Sequence, residues 1–372
     1  MHEQGGFNDS MLKSEPVRAV INETYDLLSQ SIYRIEQKVP AELTAALKEN
    51  VYRFSGCKTD VQLKEMNSLL RDDKGAIKPY YQFQQDALKI NDKYNKTYLN
   101  TEYNYATGAS IMAAKWSQIE EDGDEYWLQY RTANDGLVRP EHQALDGITL
   151  PPSDPFWDEF YPPNDWGCRC TVVQVLKEKY PLSNSQEAID AGEAATAKPA
   201  QKIFRYNAGK QKIIFSNKHP YFKAVEKEKD AQKTLNTLAN KNADRLVLEW
   251  AKAQESNRYE FENLHTGKMN LSSKVARQYF LPHTKTAEEK NVFISLAKNG
   301  NKLRFEKFEP LGIRKDTNSP KDVKNIEKKK NRGVVGYNVY SYNYNSKKWL
   351  IGFEIIDYKF EQPYYINKAK KP

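Results

Sequence analysis

The sequence predicts an α+β protein: an N-terminal helical array ending in a small aromatic α/β knot, then a linker, then a small α+β domain with an antiparallel sheet. Three observations carry this expectation. Apolar residues recur at helical spacing through most of residues 16–119. Aromatics, prolines and two of the chain's three cysteines crowd into residues 151–170. Near the end, residues 302–308, 333–344 and 347–358 alternate with a period of two, as half-buried strands do.

Residues 1–15 read as a disordered N-terminus. Pro16 suits an early helical position, and Val17, Val20, Ile21, Tyr25, Leu28, Ile32 and Ile35 follow at helical spacing. Pro40 ends that helix. Leu43, Leu47 and Val51 mark a second one, and residues 61–70 a third. After the break at Asp72 to Gly75, residues 80–119 form a long helical region, interrupted near Asn91 or Asn100. Tyr126 to Thr132 favours a strand, and Ala133-Asn134-Asp135-Gly136 marks a turn. Each proline between Pro151 and Pro163 removes a donor and restrains its predecessor, so a fixed loop is expected there. Phe156, Trp157, Phe160, Tyr161 and Trp166 would pack inward beneath it. A strand resumes over residues 170–176, closing a first domain of residues 16–176.

Residues 177–235 are small and polar enough for a linker, with a hairpin around Asn207 to Lys210. The boundary of the last domain falls near residue 236. Residues 243–253, 272–280 and 286–299 are expected to be helical, the last capped by Thr286. The chain turns at His265-Thr266-Gly267-Lys268, and Tyr344-Asn345-Ser346-Lys347 joins two strands. Helices followed by antiparallel strands describe a compact α+β domain.

Composition narrows the functional classes. Three cysteines in 372 residues form no disulfide framework and favour a reducing compartment. The first residues lack a signal-peptide core, and no run reaches the length of a membrane span, so no membrane partner is expected. The net charge of +8 is unevenly spread. Residues 236–372 hold 27 Lys+Arg against 15 Asp+Glu, net +12, while residues 1–235 hold 30 against 34, net −4. The last domain therefore suits a polyanionic partner, most simply nucleic acid.

Cys168 and Cys170 are one residue apart, cramped for a disulfide. With His142 and Asp146 they offer ligands for a structural zinc. The other reading has both cysteines packed as small buried hydrophobes while His142 makes a structural hydrogen bond. A zinc-deaminase site is excluded, since neither His-x-Glu nor Pro-Cys-x-x-Cys occurs.

Arg139-Pro140-Glu141-His142, Leu145-Asp146-Gly147, Asp154-Pro155-Phe156-Trp157, Tyr161-Pro162-Pro163-Asn164 and Cys168-Arg169-Cys170 occur in one ordered series. Together with Tyr103 to Ala106 and Trp116 to Ile119 upstream, this series resembles the phage Mu F-like head morphogenesis family over about residues 75–176. The resemblance implies a minor head protein of a phage or prophage, made in the bacterial cytoplasm and carried in the virion, in the head interior or portal region. It implies portal and head proteins as partners, and a role in head assembly, DNA packaging or ejection. It carries over no catalytic residues.

In outline the last domain is similar to the barnase, EndoU, colicin and RelE group of ribonuclease-like domains. That resemblance implies a metal-independent ribonuclease delivered by the virion. His265 and His283 would act as base and acid with Arg277 beside them, and Lys268, Arg304 and Arg332 would hold phosphates. The other reading is a basic domain that grips nucleic acid, with Tyr337, Tyr340, Tyr342 and Tyr344 packing or stacking on a hairpin.

Overall fold

The computed structural model describes residues 1–36, 38–312, 319–344 and 347–369, and divides into two units, Met1–Ala239 and Asn240–Pro372. The architecture is α+β, as expected.

The first unit is built on α1 (Glu15–Tyr33), α2 (Ala41–Ser68), α3 (Tyr80–Asp92) and α4 (Leu99–Asp122). Residues 1–15 are ordered, contrary to expectation. A 3-10 turn over Asp9–Lys13 buries Leu12 completely, and the Phe7 amide donates to Asn67 Oδ1 at 2.7 Å. The second and third expected helices are one, because Gly56 does not break α2. It lets Leu235 close on the helix, where a Cβ would lie 2.9 Å from Leu235 Cδ2. Between α3 and α4 the helix widens into a π-turn over Lys93–Tyr98, close to where Asn91 and Asn100 suggested an interruption.

Beyond α4 lies a three-stranded antiparallel sheet in the order β2-β1-β3: β1 (Trp127–Arg131), β2 (Thr149–Leu150) and β3 (Thr171–Val175). The short helix α5 (Pro140–Gln143) lies between β1 and β2. Another, α6 (Phe156–Glu159), forms inside the proline-rich segment that was expected to be loop throughout. Prolines at 155 and 162 flank that single turn without interrupting it, which is why it is tolerated. Phe156 and Trp157 are fully buried, and Trp116 meets Tyr161 edge to face at 5.1 Å.

Residues 177–235, read as a linker, are part of this core. They form α7 (Ser185–Ala195), a 3-10 turn over Pro199–Phe204, α8 (Ala208–Gln211) and α9 (Pro220–Glu226). The hairpin expected at Asn207 is instead a helix start: Asn207 Oδ1 accepts from the amides of Gly209 and Lys210. Small residues in this stretch permit close contact. A Cβ on Gly209 would lie 2.3 Å from Trp116 Cβ, and one on Gly192 would lie 2.5 Å from Phe160 Cγ. Buried Asn50 on α2 accepts from the amides of Ile214 and Phe215 and donates to the Phe215 carbonyl, fixing the segment to the helices.

Helix α10 (Lys229–Ala253) contributes Leu235 and Leu238 to the first core, and its later residue Trp250 packs edge to face on Phe293 in the second unit. The second unit continues with β4 (Arg258–Glu260), β5 (Lys268–Asn270), α11 (Ser273–Val275), α12 (Ala287–Asn299), β6 (Arg304–Pro310), α13 (Pro320–Lys330), β7 (Val334–Tyr344), β8 (Lys347–Ile356) and β9 (Phe360–Lys368). Its sheet runs β4-β5-β9-β8-β7-β6. All pairs are antiparallel except β5 with β9, so the sheet is mixed rather than purely antiparallel. Residues 345–346, the expected hairpin turn, lie outside the described residues. Among the described residues no helix is long and apolar enough to cross a membrane.

Candidate functional site

Three of the residues singled out in the sequence meet in the first unit. Pro140 opens α5 at a position where the missing amide is not needed, and the helix turns His142 inward until it is 1% exposed. Gly147, at φ 81°, then reverses the chain so that its amide donates to the Tyr130 carbonyl of β1. On the other side Gly167, at φ 67°, bends the chain into Cys168, and Cys170 immediately precedes β3. His142 Nδ1 lies 3.6 Å from Cys168 Sγ and 3.9 Å from Cys170 Sγ, and all three donor atoms fall within 4.8 Å of one another.

Two clamps hold these pieces together. Arg139 donates to the Trp166 carbonyl at 2.7 Å, and Arg169 grips Asp135 through two bonds of 2.6 and 2.7 Å. Beneath them Tyr130 donates to the buried Asn164. Asp146, the fourth candidate ligand, is otherwise engaged: its Oδ1 accepts from the Thr132 amide and hydroxyl. The Cys168 thiol is held well below its ordinary range by the Cys170 hydrogen bond and then by His142, and Cys168 in turn pushes Cys170 up. His142 Nε2 is buried with no hydrogen-bond partner among the described residues.

The second unit separates the other candidates. The His265 amide donates to the Tyr340 hydroxyl, and its ring lies 5.0 Å from Phe305. The His283 ring lies 4.3 Å from Tyr364, whose ring is 5.7 Å from Tyr337. Tyr337 and Tyr340 are three residues apart on β7, and side chains alternate along a strand, so the two histidines sit over opposite faces of the sheet. They do not flank one phosphodiester. Arg277 and Arg304 are exposed, and Lys268 pairs with Glu260 at 3.5 Å. Arg332 is not a free phosphate clamp: it donates to both oxygens of the fully buried Glu354, at 3.0 and 3.1 Å.

A grouping that the sequence did not suggest surrounds His283. Lys329 lies 3.8 Å from the Tyr364 ring centroid and 4.9 Å from that of Tyr337, and it pairs with Glu354 at 3.2 Å. His283, Lys329, Tyr337 and Tyr364, with Glu309, border a cavity of about 190 Å³. Lys329 lies in the run Lys328-Lys329-Lys330 at the end of α13, where nothing in the sequence distinguishes it from its neighbours; its place beside Tyr337 of β7 and Tyr364 of β9 is set by the tertiary fold.

Comparison with known proteins bears on the first unit. Residues 63–173, from the last six residues of α2 into β3, match the family described as Phage Mu protein F like protein. The chain is 48% identical over 68 residues to the Mu-like prophage FluMu F protein of Haemophilus influenzae, covering 18% of this chain and 16% of that one. It is 41% identical over 119 residues to the putative capsid assembly protein F of Escherichia phage Mu, covering 29% of this chain and 26% of that one. The alignments therefore span about a quarter or less of either relative. No solved structure matches. The resemblance of the second unit to ribonucleases finds no support in these comparisons, and the family match ends well before that unit begins. Residues 63–173 of this chain form a Phage Mu F-like domain.

Proposed function

We propose that the chain is a minor head protein of a phage or prophage that acts in head morphogenesis. The observation that carries this reading is the family match over residues 63–173, which runs from the end of α2 through α3 and α4 into the aromatic knot. The name of one relative, putative capsid assembly protein, points the same way. Portal and head proteins are the partners on this reading, and the virion is its location. Tagged full-length chain should co-purify with portal and major head proteins from an induced lysate and should sediment with intact heads. Recovery free of every head component overturns the reading.

The second unit would bind nucleic acid without base specificity. The favouring observation is its net charge of +12. Full-length chain should shift a DNA or RNA fragment at low salt and release it as salt rises. A shift that salt does not weaken, or no shift, assigns this unit to protein contacts instead. Ribonuclease chemistry by a His265 and His283 pair is disfavoured by their placement on opposite sheet faces. RNA cleavage lost in both His265→Ala and His283→Ala would reverse that judgement.

A further inference from the structure

We infer that His142, Cys168 and Cys170 bind one zinc ion, with a solvent molecule completing its coordination. This goes beyond the head-assembly reading and does not depend on it.

The donor atoms have the spacing that such a site needs. With Zn–S near 2.3 Å and Zn–N near 2.0 Å, the S···N edge of a tetrahedron is about 3.6 Å. The two observed S···N separations are 3.6 and 3.9 Å. Both S···N separations thus lie within a few tenths of an ångström of that edge, and all three donor atoms lie within 4.8 Å of one another. Two thiolates and an imidazole select zinc over magnesium or calcium, which take oxygen ligands. The burial also needs an explanation. His142 is taken out of water with only two thiol sulfurs near Nδ1, and thiols are weak hydrogen-bonding partners. A bound cation supplies the compensation that they cannot.

The fourth position is open to solvent. Each nearby carboxylate has another partner: Asp135 holds Arg169, Asp146 caps Thr132, and Asp165 accepts from Gln201. A cavity of about 20 Å³ beside the three donors is bordered by Ala133, Leu137, Val138 and Gly167. That is room for one water-sized ligand and little else. Binding is balanced in charge and protons: two thiols lose two protons to solvent, and the thiolates neutralise the dication. The ion joins α5 directly to the residue before β3, so it fastens the knot at the point where Arg139 and Arg169 already clamp it.

The test uses the full chain expressed with zinc in the medium and dialysed into metal-free buffer without chelator. Elemental analysis should give one zinc per chain. Cobalt exchanged into the same protein should show the intense visible bands of a tetrahedral ion and a thiolate-to-cobalt charge-transfer band. Cys168→Ser, Cys170→Ser and His142→Ala should each lose most of the bound metal. Cys57→Ser and Asp146→Ala should keep it. Wild-type chain without stoichiometric zinc overturns the inference, as does a Cys168→Ser/Cys170→Ser variant that keeps its full complement. Should the ligand variants fail to fold, the wild-type cobalt spectrum decides: a weak octahedral spectrum with no thiolate band is equally fatal.

Discussion

Both units bury a glutamate deeply, and they neutralise it in different ways. In the first unit Glu102 on α4 faces Lys58 on α2, and both side chains are almost completely sealed. Burial drives the lysine down and the glutamate up, against the attraction between them. In the second unit Glu354 on β8 meets two cations, Lys329 and Arg332, whose side chains are 17% and 29% exposed. Burial would lower these cations, but their bonds to Tyr337, Tyr279 and Glu354 outweigh it and hold both up. The sealed pair keeps only 1% and 4% of its side chains exposed. The half-open cluster beside the cavity marks a surface where charge remains available.

This contrast is sharpest in the response to losing one partner. Lys58→Met or Glu102→Leu alone leaves an uncompensated buried charge and should destabilise the first unit by about 3–5 kcal/mol. The double substitution should recover most of that loss, since an apolar pair of similar volume is often neutral or better. Denaturant unfolding, with hydrogen exchange resolved by peptide to separate the two units, reads the effect. Equal losses in the single and double variants would mean that the pair is not sealed as described.

Acid should act on the first unit through His219. Its Nδ1 accepts from the Tyr221 amide at 3.2 Å, which requires the neutral ring. Burial, and then the nearby Lys58, lower its pKa to about 4. A base whose folded pKa is depressed binds fewer protons when folded, so its contribution is complete above the unfolded pKa near 6.5 and is lost as pH falls toward 4. The loss should approach about 3 kcal/mol across that window. His219→Asn, which keeps an acceptor for the cap, should flatten the profile. A pH response unchanged in that variant assigns the sensitivity to other groups.

The two units also differ in how far their sequences disclosed them. Helical periodicity exposed α1, α2 and α4, and period-two alternation exposed β6, β7 and β8. Residues 177–235 deceived because small residues such as Gly192 and Gly209 look like connector chemistry. Their role, to let Phe160 and Trp116 approach, depends on partners 32 and 93 positions away in the chain. Cys168 and Cys170 were legible as candidate ligands from type alone, and His142 from its place in the motif series. The Arg139 and Arg169 clamps were not, because their acceptors are set by loop geometry. Strands β4, β5 and β9 escaped because two are three residues long and the third contains Pro363, which sits at a register shift opposite Phe353.

In the second unit Glu354→Gln tests the half-open cluster. Lys329 and Arg332 would keep hydrogen-bond acceptors but lose their counter-charge, and solvent can compensate part of it. We expect a loss of about 2 kcal/mol in this unit, smaller than either single variant of the sealed pair. A loss as large as that of Glu102→Leu would erase the distinction between the two sites.

The smallest expected effect comes from the Thr286 cap of α12. Its hydroxyl accepts from the Glu289 amide at 3.2 Å, while Glu289 Oε2 accepts from the Thr286 amide at 3.1 Å, a reciprocal box at an exposed helix start. Thr286→Ala removes one half of it and should cost about 1 kcal/mol. Because α12 carries Phe293 and Ser295 into the second core, where Ser295 meets the Tyr342 hydroxyl at 2.9 Å, fraying should appear first as faster exchange in the opening turn of α12. Peptides of α2 and α4 should be unchanged. Faster exchange there as well would show that the two units unfold as one, and that the contrast between their buried glutamates has to be judged on a shared stability.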